Sequence, residues 1–145
     1  MNRIAGLKDG LEGSGCEISW EYNYARGNQN TSEIIASKKQ VDYLVILDNW
    51  ALEEVGEAAE ENKYHGAKIY GVGSSEKAIV LLDNQNIECL VVPDDYETGY
   101  MSMNEIAKKL RHSFYKMNSC KTEVRIINKE DLYSKDLERF LYSYE

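Results

Sequence analysis

From Gly71 to Leu82 the sequence reads GVGSSEKAIVLL, with two glycines and two serines set between the apolar run AKIY and a helix-like stretch. Such residues at a strand-to-helix turn can present backbone N–H groups to a phosphate, whose charge the helix dipole favours. The spacing argues against it. A dinucleotide-binding turn needs a third small residue in G-x-G-x-x-G, and Glu76 stands at that place; a P-loop needs Gly-Lys-Ser/Thr, which does not follow. Plain turn chemistry is the simpler reading. The other reactive residues are scattered. His65 precedes Gly66 at an expected helix end, and His112 lies in KKLRH, where a cation suits a helix C-terminus. No Ser or Cys sits in a G-x-S-x-G elbow. The acidic stretch EEVGEAAEEN lacks the alternating carboxylates of a calcium loop and reads as a solvated helix face. No catalytic residue, metal or cofactor is expected. A nucleotide- or phosphate-using enzyme on a flavodoxin-like sheet is therefore the weakest of the functions considered.

Composition narrows the class further. The chain has 145 residues, 43% of them hydrophobic, and one proline, which fits a single domain with its own core. Its net charge of −8 comes from 25 acidic against 17 dispersed basic residues, so the clustered cations of a nucleic-acid footprint are missing. No stretch approaches the ~20 apolar residues of a membrane span. The start MNRIAGLKDG has no apolar signal core, so a soluble chain is expected. Cys16, Cys89 and Cys120 are odd in number and widely spaced, which suits neither zinc nor a disulfide framework. Cys89 reads as a core thiol.

The elements that must position any site alternate. Ile4, Leu7 and Leu11 fall at helical spacing before GSG, and the aromatic-rich CEISWEYNY predicts a strand. After the loop ARGNQN, Thr31 predicts the cap of a short helix with Ile34 and Ile35. VDYLVIL reads as a strand buried on both faces. A helix with Leu52, Val55 and Ala59 runs toward HG, followed by the strand AKIYGV and a helix with Ala78, Ile79 and Leu82. IECLVV is another buried strand. Met103, Ile106, Ala107, Leu110 and Phe114 then make the strongest amphipathic helix. TEVRII predicts a strand and SKDLERFLYSY a terminal helix. Such alternation means an α/β fold with a mostly parallel sheet, in which ligands bind outside the carboxyl ends of the strands. Those ends are LDNW, GVGSS and VPDDYE.

The succession RIAGLKDGLEGSGCEI, VDYLVILDNWALEEVGEAAEEN, AKIYGVGSSEKAIVLLDNQNIECLVVPDDYETGYMSMNEIAKKL and EVRIINKEDLY resembles the C-terminal lobe of ribose-type (type 1) periplasmic binding proteins. These are substrate-binding components of sugar ABC importers, close in fold to the sugar-binding domains of LacI-type regulators. The resemblance implies a Rossmann-like or flavodoxin-like three-layer lobe. It also implies that residues 1–145 are one domain, with the first lobe and this lobe's own first strand absent. GVGSS then becomes a loop facing a sugar cleft. By the same resemblance Arg3 donates to sugar hydroxyls, Asp48 accepts from them and Trp50 stacks on a ring. Gly73 stands where many sugar binders have aspartate, and Pro93 where they often have glutamine. Asp94, Asp95 and Tyr96 are candidates to replace the lost groups. The implied function is binding a sugar or related small polar ligand outside the cell and presenting it to a membrane importer permease. A ligand sensor coupled to a kinase or regulator is the alternative. Self-association of the chain is expected because the amphipathic helix would otherwise pack on the other lobe.

Overall fold

A computed structural model describes residues 3–24, 30–59 and 62–141. Four strands form one sheet in the order β1 (Tyr43–Ile46), β2 (Lys68–Val72), β3 (Cys89–Pro93) and β4 (Val124–Ile127). The first three run parallel, and β4 is antiparallel to β3. Helix α1 (Arg3–Leu11) and helix α2 (Thr31–Ala36) precede the sheet. Helix α3 (Asn49–Ala58) joins β1 to β2, α4 (Glu76–Asp83) joins β2 to β3, and α5 (Asp95–Arg111) follows β3. Two 3-10 turns at Lys129–Tyr133 and Lys135–Leu137 lead into α6 (Glu138–Leu141). The α/β class with a mostly parallel sheet is the one the alternation predicts.

The register explains where the core sits. Leu44 pairs with Ile69 and Leu90 with Ile127, so Leu44, Ile46, Ile69, Leu90, Val92 and Ile127 all point to one face. They are buried there with Leu52 and Val55 of α3 and Ala78, Ile79 and Leu82 of α4. Gly71 shares that face under α3, where a Cβ would meet Leu52 Cδ1 at 2.3 Å. The missing side chain lets the helix seat against β2.

The opposite face is open. Tyr43, Val45, Val124 and Ile126 are 46–69% exposed, which corrects the burial on both faces expected for VDYLVIL. Successive parallel β-α-β crossovers of one hand put α3 and α4 on the same side, while α1 and α5 bury none of their residues. A second correction concerns residues 16–24, which have no regular secondary structure and belong to no strand. Their aromatic residues are satisfied otherwise: Trp20 and Tyr24 pack on the core, Trp20 Nε1 donates to the Lys39 carbonyl at 2.8 Å, and Glu21 pairs with Lys8 at 2.6 Å.

Element ends also shift. Thr31 is the first residue of α2 and fully buried, with Asn30 in the cap position; residues 25–29 of ARGNQN lie outside the described residues. Helix α3 stops at Ala58, and the turn before β2 is closed by left-handed backbone at His65 and Gly66. Helix α5 begins at Asp95 and ends at Arg111, leaving Phe114 beyond it. Cys89 is buried, and burial pushes its thiol pKa up.

Beyond α5 the chain folds back onto Glu105, whose carboxylate accepts from the Asn118 N–H at 2.8 Å, from Lys108 Nζ at 2.8 Å and from the Tyr115 hydroxyl at 3.0 Å. These bonds, led by the Asn118 amide, hold its pKa down to about 2 from an ordinary 4.5. A lowered pKa means the anchor is at full strength above 4.5 and is lost as pH falls through 2. Acid titration followed by NMR should show the Asn118 amide leaving its folded position only toward pH 2, and Glu105→Gln should release it at neutral pH. An Asn118 signal indifferent to both would contradict the anchor. For the helix seat, Gly71→Ala should cost about 1–3 kcal/mol in denaturant unfolding, and less in a Leu52→Ala background; equal costs in the two backgrounds would show that the methyl does not meet Leu52.

Candidate functional site

Each of the first three strands hands over to a helix whose first turn is capped by a side chain at the strand's carboxyl end. Asp48 caps α3 by accepting from the Ala51 N–H at 3.1 Å, Ser75 caps α4 through the Ala78 N–H at 3.2 Å, and Asp94 caps α5 through the Glu97 N–H at 2.7 Å. Short polar side chains do this because the first helical N–H groups have no partner within the helix. Parallel strands therefore bring three loops, 47–49, 73–75 and 93–95, to one edge.

Side chains lace these loops together. Glu53 Oε1 accepts from Asn49 Nδ2 and from Ser75 Oγ, both at 2.7 Å. Asn49 Oδ1 accepts from the Ser75 N–H at 3.5 Å, and Ser74 Oγ donates to Asp95 Oδ2 at 2.8 Å. Arg3 reaches the same edge from α1, with Nη1 donating to the Leu47 carbonyl at 2.5 Å. Its guanidinium has further donors for a ligand. Carboxylates are dense here: Asp48, Asp94 and Asp95 lie on these loops, and Glu53, Glu76 and Glu97 lie in the opening turns of the helices that follow.

This arrangement answers the question that GVGSS raises. The Gly73 N–H donates to the Val91 carbonyl at 3.2 Å, the Ser75 N–H faces Asn49, and the Ser75 hydroxyl occupies the Ala78 N–H. Three amides of this turn are thus engaged, and the surrounding carboxylates repel an anion. The edge suits a neutral ligand with hydroxyl groups, which can donate to carboxylates and accept from Arg3.

The candidates from the sequence divide into those gathered here and those drawn away. Arg3, Asp48 and Gly73 come together around Asn49, and Trp50, 52% exposed, sits in the first turn of α3 beside them. Pro93 ends β3 opposite Val124 at the same edge. Asp94 is only 4% exposed and caps α5, and Tyr96 stacks on Tyr100 with ring centroids 6.4 Å apart on a helix that leaves the sheet. Asn49, Ser74 and Glu53 were missed: their positions in LDNW, GVGSS and the first turns of a helix are visible in the sequence, but the pairing between loops is not. His65 lies in the turn before β2 and His112 at the C-cap of α5, and among the described residues no three His, Cys, Asp or Glu side chains could hold a metal ion. A surface hollow lined by Lys8, Glu12, Cys16, Trp20 and Glu21 includes none of the edge residues.

The departure at Gly73 has a steric cause in this chain, since a Cβ there would lie 2.4 Å from Asn49 Oδ1. Gly73→Asp should lower stability by about 1–3 kcal/mol, and Asn49→Gly in the same chain should recover much of the loss because the two side chains compete for one space. Additive effects of the two substitutions in thermal unfolding would refute the contact.

The profile of the periplasmic binding protein domain matches residues 1–113. Among curated proteins there is no match. Among solved structures, the fold is similar to a carbohydrate transporter solute binding protein from Agrobacterium radiobacter in complex with D-arabinose, at 21% identity and a TM-score of 0.79, covering 96% of this chain and 49% of that one. An ABC transporter solute binding protein from Agrobacterium vitis with bound D-fucose is similar at 15% identity and a TM-score of 0.79, over 97% of this chain and 50% of the other. GanP, a glucose-galactose binding protein from Geobacillus stearothermophilus, is similar at 20% identity and a TM-score of 0.77, over 90% and 49%. No helix of the described residues is long and apolar enough to cross a membrane. The chain spans about half the length of the structures it matches. A profile match over more than half of its residues, on a fold shared with solute-binding proteins, makes the conclusion direct: the chain belongs to the periplasmic binding protein domain family.

Proposed function

We propose that this chain is one lobe of a substrate-binding module for a sugar or related small polar ligand, and that it acts by binding without chemistry. The observation that carries the reading is the convergence of Arg3, Asp48 and Asn49 on the strands' carboxyl edge, where donors and acceptors for hydroxyl groups lie within one laced set of loops. The sugars named for the similar structures give the ligand class. Arg3 is the hydroxyl-binding donor, Asp48 the acceptor and Trp50 the apolar platform for a ring face. Gly73 and Pro93 shape the floor, while Asp94 and Tyr96 contribute less, the first as a cap and the second as a helix-surface residue. In the complete protein a second lobe closes over this edge outside the cytoplasmic membrane, and the loaded pair docks on an importer permease.

One lobe surrounds about half of what a closed cleft surrounds, so the 145-residue chain alone should bind monosaccharides weakly. Titration with millimolar D-arabinose, D-fucose, D-glucose and D-galactose should shift the amides of residues 47–50 and 73–75 and leave those of 103–111 in place. Submicromolar affinity by calorimetry would sink the half-cleft reading; shifts confined to other surfaces would sink the site. In a protein carrying both lobes, Arg3→Ala should cost about 1.5–3 kcal/mol of affinity, the worth of a charged hydrogen bond, with little change in folding.

A further inference from the structure

Asn49 opens α3, and its carboxamide lies against the buried Gly73, where a Cβ would meet Asn49 Oδ1 at 2.4 Å. A side chain of the first loop thus fills the place from which a side chain of the second would start. Which end of the carboxamide lies there is decided by its neighbours. Glu53, one turn on, accepts from Asn49 Nδ2 at 2.7 Å, and an ionised carboxylate can only accept. The Ser75 N–H can only donate, and it meets Oδ1 at 3.5 Å. Both neighbours set the nitrogen toward Glu53 and leave the oxygen toward Gly73. That second bond is longer than an ordinary hydrogen bond, and a carbonyl oxygen has two lone pairs, so Oδ1 keeps capacity for a closer donor. Asn49 is half-buried, not enclosed.

Glu53 ties this orientation to the neighbouring loop. Its Oε1 also accepts from the Ser75 hydroxyl at 2.7 Å, and that hydroxyl accepts from the Ala78 N–H at 3.2 Å. The bonds close a ring, from the Ser75 hydroxyl through Glu53 to Asn49 and back to the Ser75 N–H. Turning the carboxamide over would set oxygen against Glu53 and nitrogen against the Ser75 N–H, and both bonds would be lost together.

We infer that Asn49 is a specificity-determining residue of the carboxyl edge, its Oδ1 accepting from a ligand hydroxyl at Gly73, and that Glu53 is the positioning residue that holds this oxygen in place. The inference rests on the sugar reading and deepens it, because it fixes what the ligand must offer at this point. A neutral amide oxygen takes a hydrogen and gives none. The matching ligand group is a hydroxyl, whereas an ether oxygen or an ionised carboxylate there meets acceptor against acceptor. Glu53 touches no ligand in this assignment; it acts through Asn49.

The test is amide NMR of the 145-residue chain titrated with millimolar D-arabinose and D-fucose. Asn49→Ala should weaken binding about fivefold, the worth of one neutral hydrogen bond, and erase the response of Gly73 while the amides of 103–111 stay in place. Glu53→Ala should weaken binding by a similar factor although Asn49 is intact, and should move the Asn49 side-chain NH2 signals. Glu53→Gln, whose carbonyl still accepts, should restore both. Asn49→Asp, which sets two carboxylates together, should bind weakly, and Glu53→Gln in the same chain, which exchanges donor and acceptor, should recover the loss. If Glu53→Ala does not fold, the Asn49→Asp pair decides alone. Binding indifferent to Asn49→Ala, with the edge loops still responding, overturns this inference and leaves the sugar reading standing. Equal losses in Glu53→Ala and Glu53→Gln mean that the Glu53 charge meets the ligand itself, and overturn the positioning role. A wild-type chain with no response in 47–50 and 73–75 overturns the sugar reading and this inference with it.

Discussion

The seat of Leu52 on Gly71 sets the geometry of this molecule. Leu52 is fully buried, and its Cγ and both methyl carbons lie within 2.9 Å of where a Gly71 side chain would begin. Helix α3 can lie that close to β2 only because the strand offers no Cβ at that point. The seating fixes the height of α3 above the sheet and with it the place of Asp48, Asn49 and Glu53 in its opening turns. A second close approach acts in the same layer: a Cβ on Gly56 would meet Leu81 Cδ1 at 2.7 Å, which sets the spacing of α3 from α4. The loops of the site are held at one level because the two helices that begin from them are held at one level.

That geometry decides the chemistry of the edge. Strand-to-helix loops of a parallel sheet carry helix N-termini, which as a class favour anions. Here the capping groups are themselves carboxylates at Asp48 and Asp94, and the serine and asparagine side chains are spent on amides and on Glu53. The dipoles are answered from within, and the outward surface is left with acceptors and the donors of Arg3. A polyhydroxylated ligand matches such a surface better than a phosphate, because every hydroxyl can both give and take a hydrogen bond.

One side of the sheet is packed and the other is not. Burial of Leu44, Ile46, Leu90 and Val92 against α3 and α4 gives the lobe its core, while Tyr43, Val45, Val124 and Ile126 face solvent with the apolar face of α5. Apolar surface of that extent is uncommon on a molecule with no partner. It agrees with a chain that spans about half the length of the solved structures it matches.

Local chemistry by itself determined the elements and their order. Caps, glycine stops and apolar periodicity marked α1, α3, α4, α5 and the four strands, because each is set by groups within a turn or two of one another. The carboxyl-edge loops could be placed from topology alone, and Arg3, Asp48 and Gly73 lie at that edge. What no local pattern holds is the identity of the neighbour. Residues 16–24 alternate like a strand, but a strand exists only when another lies alongside to take its hydrogen bonds, and among the described residues none does. VDYLVIL reads as buried on both faces, yet burial depends on what covers a face, and only one is covered. Asp94 and Tyr96 look like ligand groups in VPDDYE until the helix that starts there takes the carboxylate as its cap and carries the ring away from the edge. Asn49, Glu53 and Ser75 become one network only when α3 and α4 are set side by side, because hydrogen bonds between loops 22 to 26 residues apart are written in no segment of the chain, only in its packing.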